Sequence, residues 1–117
     1  MKLPKMEHTF TISVKGSDTG HQFEGTFIYK RPSLGKIAEI SKTKELLAGG
    51  IKTLDPEVDT LYTTLAHLKH TLINYPEWWE ESGFGHDLYD LNVIADIYKK
   101  CEEFETSWRD KVYTEKS

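Results

Sequence analysis

The chain has 117 residues, a net charge of −4 and a hydrophobic share of 38%, the size and make-up of one ordinary domain with a real core. Charges of both signs are interspersed, and no basic cluster is denser than Lys30-Arg31 or Lys99-Lys100, so the basic stripe that a nucleic-acid binder needs to displace counterions is missing. The single cysteine, Cys101, excludes an intrachain disulfide and a cysteine-based zinc site.

The first residues, MKLPKMEHTF, carry no apolar h-region, so they do not read as a signal peptide. No apolar run approaches the length of a membrane span. These features predict a soluble, cytosolic protein, a single domain over residues 1–117, with no membrane or nucleic-acid partner and no cofactor.

Residues 7–15, EHTFTISVK, alternate strictly. Phe10, Ile12 and Val14 point one way and Thr9, Thr11 and Ser13 the other, which is the period of a half-buried strand. Gly16 and Gly20 bound the turn GSDTG. The next run, HQFEGTFIYK, sets Phe23, Phe27 and Tyr29 on one face with Gly25 between them. Residues 7–30 therefore predict a β-hairpin, which is marginal alone and must pack on something or recruit another strand.

The helical part is expected over residues 33–112. Ser33 suits an N-cap, Ile37, Ile40 and Leu47 give a loose apolar stripe, and Gly49 and Gly50 stop the helix. The clearest helix follows. Asp55 caps it, Pro56 fits its first position, and Glu57 and Asp59 suit the positive end of its dipole. Val58, Leu61, Tyr62, Leu65, Leu68 and Leu72 form its stripe, and it is expected to run up to the break at Pro76. PEWWEES reads as a short turn closed by Gly83. The last helix is expected from Leu91 to Lys111 with Asp90 as its cap and a stripe of Ile94, Ile97, Tyr98, Cys101, Phe104 and Trp108, followed by a frayed tail, YTEKS. The fold class is α+β: an N-terminal β-hairpin followed by a three-helix, mainly α bundle.

Few residues suggest chemistry. His67 and His70 have a spacing that can bring two imidazoles to one metal, but both lie off the apolar stripe and read as solvated. His86 and Asp87 form a possible imidazole–carboxylate pair with no nucleophile motif beside it. GSDTG lacks the Lys-Ser/Thr of a phosphate loop and joins two strands. Cys101 lies on an apolar stripe and reads as an inert buried thiol. No catalytic residue and no metal site is expected.

Trp78 and Trp79 stand out. Neighbours on a helical turn point about 100° apart, so one can lock the corner between helices while the other meets water. Two readings follow: a packed corner staple, or a binding anchor on the exposed side. With Tyr75, Phe84 and Lys69, whose angle falls within an apolar stripe, they make up the expected protein-binding residues.

The segments FEGTFIYKRPSL and YPEWWEESGFGHDLYDLNVIADIYKKCEEFETSW resemble small proteins of tailed bacteriophages, and in particular the phage tail assembly chaperone-like family. The likeness rests on Pro76, Trp78, Trp79, Asp90, Asn92, Val93, Ile94, Tyr98, Glu102, Glu105 and Trp108, a pattern of helix punctuation and aromatics. It implies a non-enzymatic role in tail morphogenesis, in the host cytoplasm. Such proteins keep the long, aggregation-prone tape measure protein soluble until tail tube subunits polymerise around it, and are absent from the finished virion. The alternative is a structural virion accessory protein of the head, connector or baseplate. A homo-oligomer, paired through the hairpin edge, is a further expectation.

Overall fold

Strands β1 (Glu7–Lys15) and β2 (Gln22–Lys30) pair antiparallel over their whole length, Glu7 opposite Lys30 and Lys15 opposite Gln22. A computed structural model describes residues 6–49 and 55–116, with side chains up to Arg109. The alternation of β1 is used as the sequence suggests: Phe10 and Ile12 enter the core, while Thr9, Thr11 and Ser13 face outward. On the outer face Thr11 and Thr26 share a hydrogen bond of 3.1 Å across the strands. On the inner face Pro76 lies directly over Gly25, where an added Cβ would come within 2.5 Å of the proline ring.

The helices are α1 (Leu34–Ala48), α2 (Pro56–Thr71), α3 (Glu77–Glu81) and α4 (Leu91–Lys116), giving an α+β fold. Ser33 caps α1 by accepting from the Lys36 N–H at 3.3 Å, and Gly49 ends it with φ 62°; Gly50 lies outside the described residues. Asp55 caps α2 by accepting from the Glu57 N–H at 3.0 Å.

Two element ends differ from the sequence reading. Helix α2 stops at Thr71, and Leu72–Asn74 form β3, a third strand on the free side of β2. Pro76 biases Tyr75 toward an extended backbone, Ile73 is β-branched, and the open edge of β2 supplies hydrogen bonds that a last helical turn would not. Leu72 still enters the core, as a strand residue. Helix α4 runs past Lys111 to Lys116, because no Gly or Pro interrupts it.

One core joins these elements. Phe10, Ile12, Phe27 and Tyr29 of the sheet meet Leu65, Leu68 and Leu72, Trp79, and Val93, Ile94, Ile97 and Cys101 of α4. Helices α2, α3 and α4 thus cover one face of the sheet and leave the Thr/Ser face bare. Helix α1 packs on α2 outside this core and buries none of its own residues. Of its expected stripe Ile40 and Leu47 are half-buried, whereas Ile37 stands out at 52% exposure. No described helix is long and apolar enough to cross a membrane.

Asp90 has a different job from the one its position suggests. Its carboxylate accepts from the backbone N–H groups of Asp18 and Thr19 at 2.7 and 2.8 Å and from the Thr19 hydroxyl at 2.6 Å. It fastens the GSDTG turn rather than capping α4, whose first bond runs from the Val93 N–H to the Asp90 carbonyl. Asn92 completes the clamp, accepting from the Ser17 N–H at 2.9 Å and donating to the Lys15 carbonyl at 2.9 Å. Loop N–H groups covered by the start of α4 need acceptors, and these two side chains supply them. The bond from the Thr19 hydroxyl, with the two N–H groups, holds the Asp90 carboxyl below the usual range against the opposing effect of its burial.

Candidate binding cleft

An opening lies where β2 runs into α1. A cleft of about 900 Å³ is lined by residues of β2, α1, α2 and α4. Its floor is Tyr29, His67, Tyr98 and Cys101; α1 forms one wall with Leu34, Ile37 and Ile40; Arg31, Glu102, Glu105 and Arg109 supply charge. Pro32 and Ser33 turn the chain sharply from strand to helix and so open the space. Leu34 and Ile37 are 88% and 52% exposed, an apolar wall with no partner among the described residues.

Glu105 organises the floor. One carboxylate oxygen accepts from the Tyr29 hydroxyl at 2.5 Å, and the other lies 3.1 Å from Nε of Arg31. A hydrogen bond to a carboxylate contributes about 1.5–3 kcal/mol, while the Arg31 pair, near the surface, adds at most about 1 kcal/mol. The Tyr29 oxygen also lies 3.5 Å from Nε2 of His67, whose ring meets Tyr98 edge-on at 5.8 Å. Phe104 stacks on His8 at 5.0 Å and closes the side toward β1.

Burial sets the protonation of this floor. It raises the Tyr29 phenol, and the bond to Glu105 raises it further. It pushes the Cys101 thiol up to about 12, helped by the nearby carboxylates of Glu105 and Glu102. It lowers His67, against the pull of the same two carboxylates. At neutral pH the floor therefore holds two phenols, a thiol and a neutral imidazole. The phenols and the thiol keep their protons, and the imidazole is unprotonated. The arrangement suits contact with an apolar surface edged by hydrogen-bonding groups.

The expected binding residues gather elsewhere. Trp79 is completely buried, so it presents nothing to a partner; its ring meets Phe27 edge-on at 6.0 Å. Trp78 is half-buried against Phe23 and Phe27, and its indole N–H donates to the Glu24 carbonyl at 2.9 Å. The pair staples α3 to β2 rather than forming a hinge between α2 and α4. Tyr75 and Phe84 are half-buried and meet edge-on at 5.7 Å, with Nζ of the exposed Lys69 5.7 Å from the Phe84 ring. Lys69 and Phe84 line a recess of only about 210 Å³. Phe84 has φ 58°, a left-handed conformation that costs a bulky residue about 1–2 kcal/mol.

The two histidines of α2 are not free in solvent. His67 faces Tyr29 and Tyr98, and His70 forms a 2.6 Å bond with the Thr43 hydroxyl of α1. Their flank of α2 is covered because α1 and α4 pack beside it, which a single helical wheel does not reveal. The two rings serve different neighbours, and no group of three or more metal-ligating side chains occurs among the described residues. His86 and Asp87 sit 3.5 Å apart, both well exposed.

Sequence reasoning passed over Leu34, Ile37, Arg31 and Glu105 as binding residues. The available signal was α1 itself, whose apolar residues follow no strong periodicity and so have no single face to bury. Nothing matches the chain among protein-family models, curated proteins or solved structures.

Proposed function

We propose that this chain is a non-enzymatic protein-binding module, a tail assembly chaperone-like protein of a tailed bacteriophage that binds the tape measure or tail tube protein in the host cytoplasm. The observation that carries the reading is the cleft beside α1, walled by Leu34 and Ile37, which stand 88% and 52% exposed. A helical client presents apolar residues at helical spacing, and an apolar groove edged by charges takes such a face. The thiol and phenols of the floor, kept protonated by burial, favour contact over nucleophilic chemistry. The resemblance carried by Pro76, Trp78, Trp79, Asp90, Asn92 and Glu105 supplies the class of client.

Co-expression with a tailed-phage tape measure protein tests the proposal. The client's soluble yield should rise several-fold and the two chains should co-purify. A client whose solubility is unchanged would count against the reading. Mass spectrometry of purified particles separates the alternative, since a chaperone should be missing from them and a virion accessory protein present.

A further inference from the structure

Strand β1 leaves an edge of the sheet open. The strand order is β1-β2-β3, and no strand among the described residues pairs with the outer side of β1. The Arg31 N–H donates to the Met6 carbonyl and the Gly16 N–H to the His21 carbonyl, which sets the alternation of the ladder. Even-numbered residues of β1 exchange backbone bonds with β2; Glu7, Thr9, Thr11, Ser13 and Lys15 turn their N–H and C=O groups outward. All five are exposed. Edges are normally blunted by bulges, prolines or inward-pointing charges. Here the register to β2 has no shift, the strand has no proline, and its inward positions are His8, Phe10, Ile12 and Val14.

We propose that β1 pairs antiparallel with β1 of a second copy about a two-fold axis at Thr11, joining the two sheets into one. This register sets Glu7 opposite Lys15 of the other chain, and the two-fold repeats the ion pair. Thr9 meets Ser13 and Thr11 meets its own copy. The outward backbone groups of Thr9, Thr11 and Ser13 let the Thr9–Ser13 and Thr11–Thr11 pairs exchange two hydrogen bonds each, while the Lys15 carbonyl is held by Asn92, so each Glu7–Lys15 pair adds one, from the Lys15 N–H to the Glu7 carbonyl. On the core face Phe10 comes opposite Ile12, so the apolar side of each sheet continues into the other. A two-residue slip sets Glu7 opposite Ser13 or Ser17 and loses both ion pairs. The contact closes on itself, and the remaining outer strand, β3, is only 3 residues long, so the product is a dimer and not a fibre. None of these residues lines the cleft, and the inference stands apart from the proposed client.

Sedimentation velocity on the full chain tests it. The wild type should sediment at twice the 13.5-kDa chain mass at micromolar concentration. Thr11→Pro removes an N–H that β2 does not use, as an edge strand tolerates, and should weaken the dimer at least about tenfold with an unchanged circular dichroism spectrum. Glu7→Lys and Lys15→Glu should each be monomeric alone. Mixed in equal amounts they should form a heterodimer, because every cross-axis pair then joins opposite charges. That rescue separates the interface from the contact Glu7 makes with Lys30 inside its own sheet. A monomeric wild type, an unaltered Thr11→Pro dimer, or a charge-variant mixture that stays monomeric would each overturn the proposal.

Discussion

The hydroxyl of Tyr29, near the end of β2, donates to the carboxylate of Glu105 on α4 at 2.5 Å. The two residues are far apart in sequence, and the bond ties the last residues of the hairpin to the longest helix at the floor of the cleft. Tyr29→Phe keeps the ring and its edge-on contact with Phe104 but leaves one oxygen of Glu105 without its donor. Urea unfolding should show a loss of about 1.5–3 kcal/mol. Glu105→Gln should cost less, because an amide oxygen still accepts from the phenol.

The clamp between Asp90 and the GSDTG turn predicts a second loss of stability. Asp90→Asn keeps the shape but weakens three accepted bonds, and the melting temperature should fall by roughly 5 °C or more. The folded carboxyl is held below its unfolded value of about 3.9. Its stabilisation is therefore complete above that value and is lost as pH falls through the lower folded pKa. Gly16→Ala attacks the same clamp from the other side, since its Cβ would collide with the Asp90 carboxyl carbon. It should destabilise by about 2–3 kcal/mol. A Gly16→Ala protein as stable as wild type would show that the clamp is not tight.

A milder pH dependence comes from His67. Burial lowers its pKa in the folded chain, so the unfolded chain takes up a proton first as pH falls. The stability this residue contributes is whole above the unfolded value, about 6.5, and declines below it by at most about 1.4 kcal/mol per pH unit. Melting temperatures on either side of that value should differ in the wild type, and the difference should shrink in His67→Gln, which keeps a polar side chain but does not titrate.

The two tryptophans should respond differently to mutation. Trp79→Ala empties the largest fully buried side chain of the core and should cost about 3–5 kcal/mol. Trp79→Phe should cost much less, since the buried indole N–H has no partner to lose among the described residues. Trp78→Phe removes the bond to the Glu24 carbonyl and should cost about 1 kcal/mol. If Trp78→Phe is more damaging than Trp79→Ala in urea unfolding, the staple works the other way round.

Much of this architecture was legible in local patterns. The alternation of residues 7–15 and the Asp55-Pro56 start of α2 each act within a few residues, and each formed as expected. What escaped depends on residues distant in sequence. Leu72–Asn74 became a strand because β2 had an edge to fill. Asp90 turned to the hairpin because the covered N–H groups of Asp18 and Thr19 needed an acceptor. The tryptophan corner was legible as a corner, but its partner, the inner face of β2, was not. The cleft was the least legible of all. Its walls come from four elements, and Leu34 carries no signal beyond being apolar.

The central claim is that the wall of α1 holds a protein partner. Ile37→Asp, with or without Leu34→Asp, puts charge on exposed positions outside the core, so stability should stay within about 0.5 kcal/mol of wild type. Co-purification with the co-expressed tape measure protein should fall at least about tenfold, as expected for the loss of apolar anchors at the centre of a contact. Undiminished capture of the client by a well-folded Leu34→Asp/Ile37→Asp protein would contradict the account.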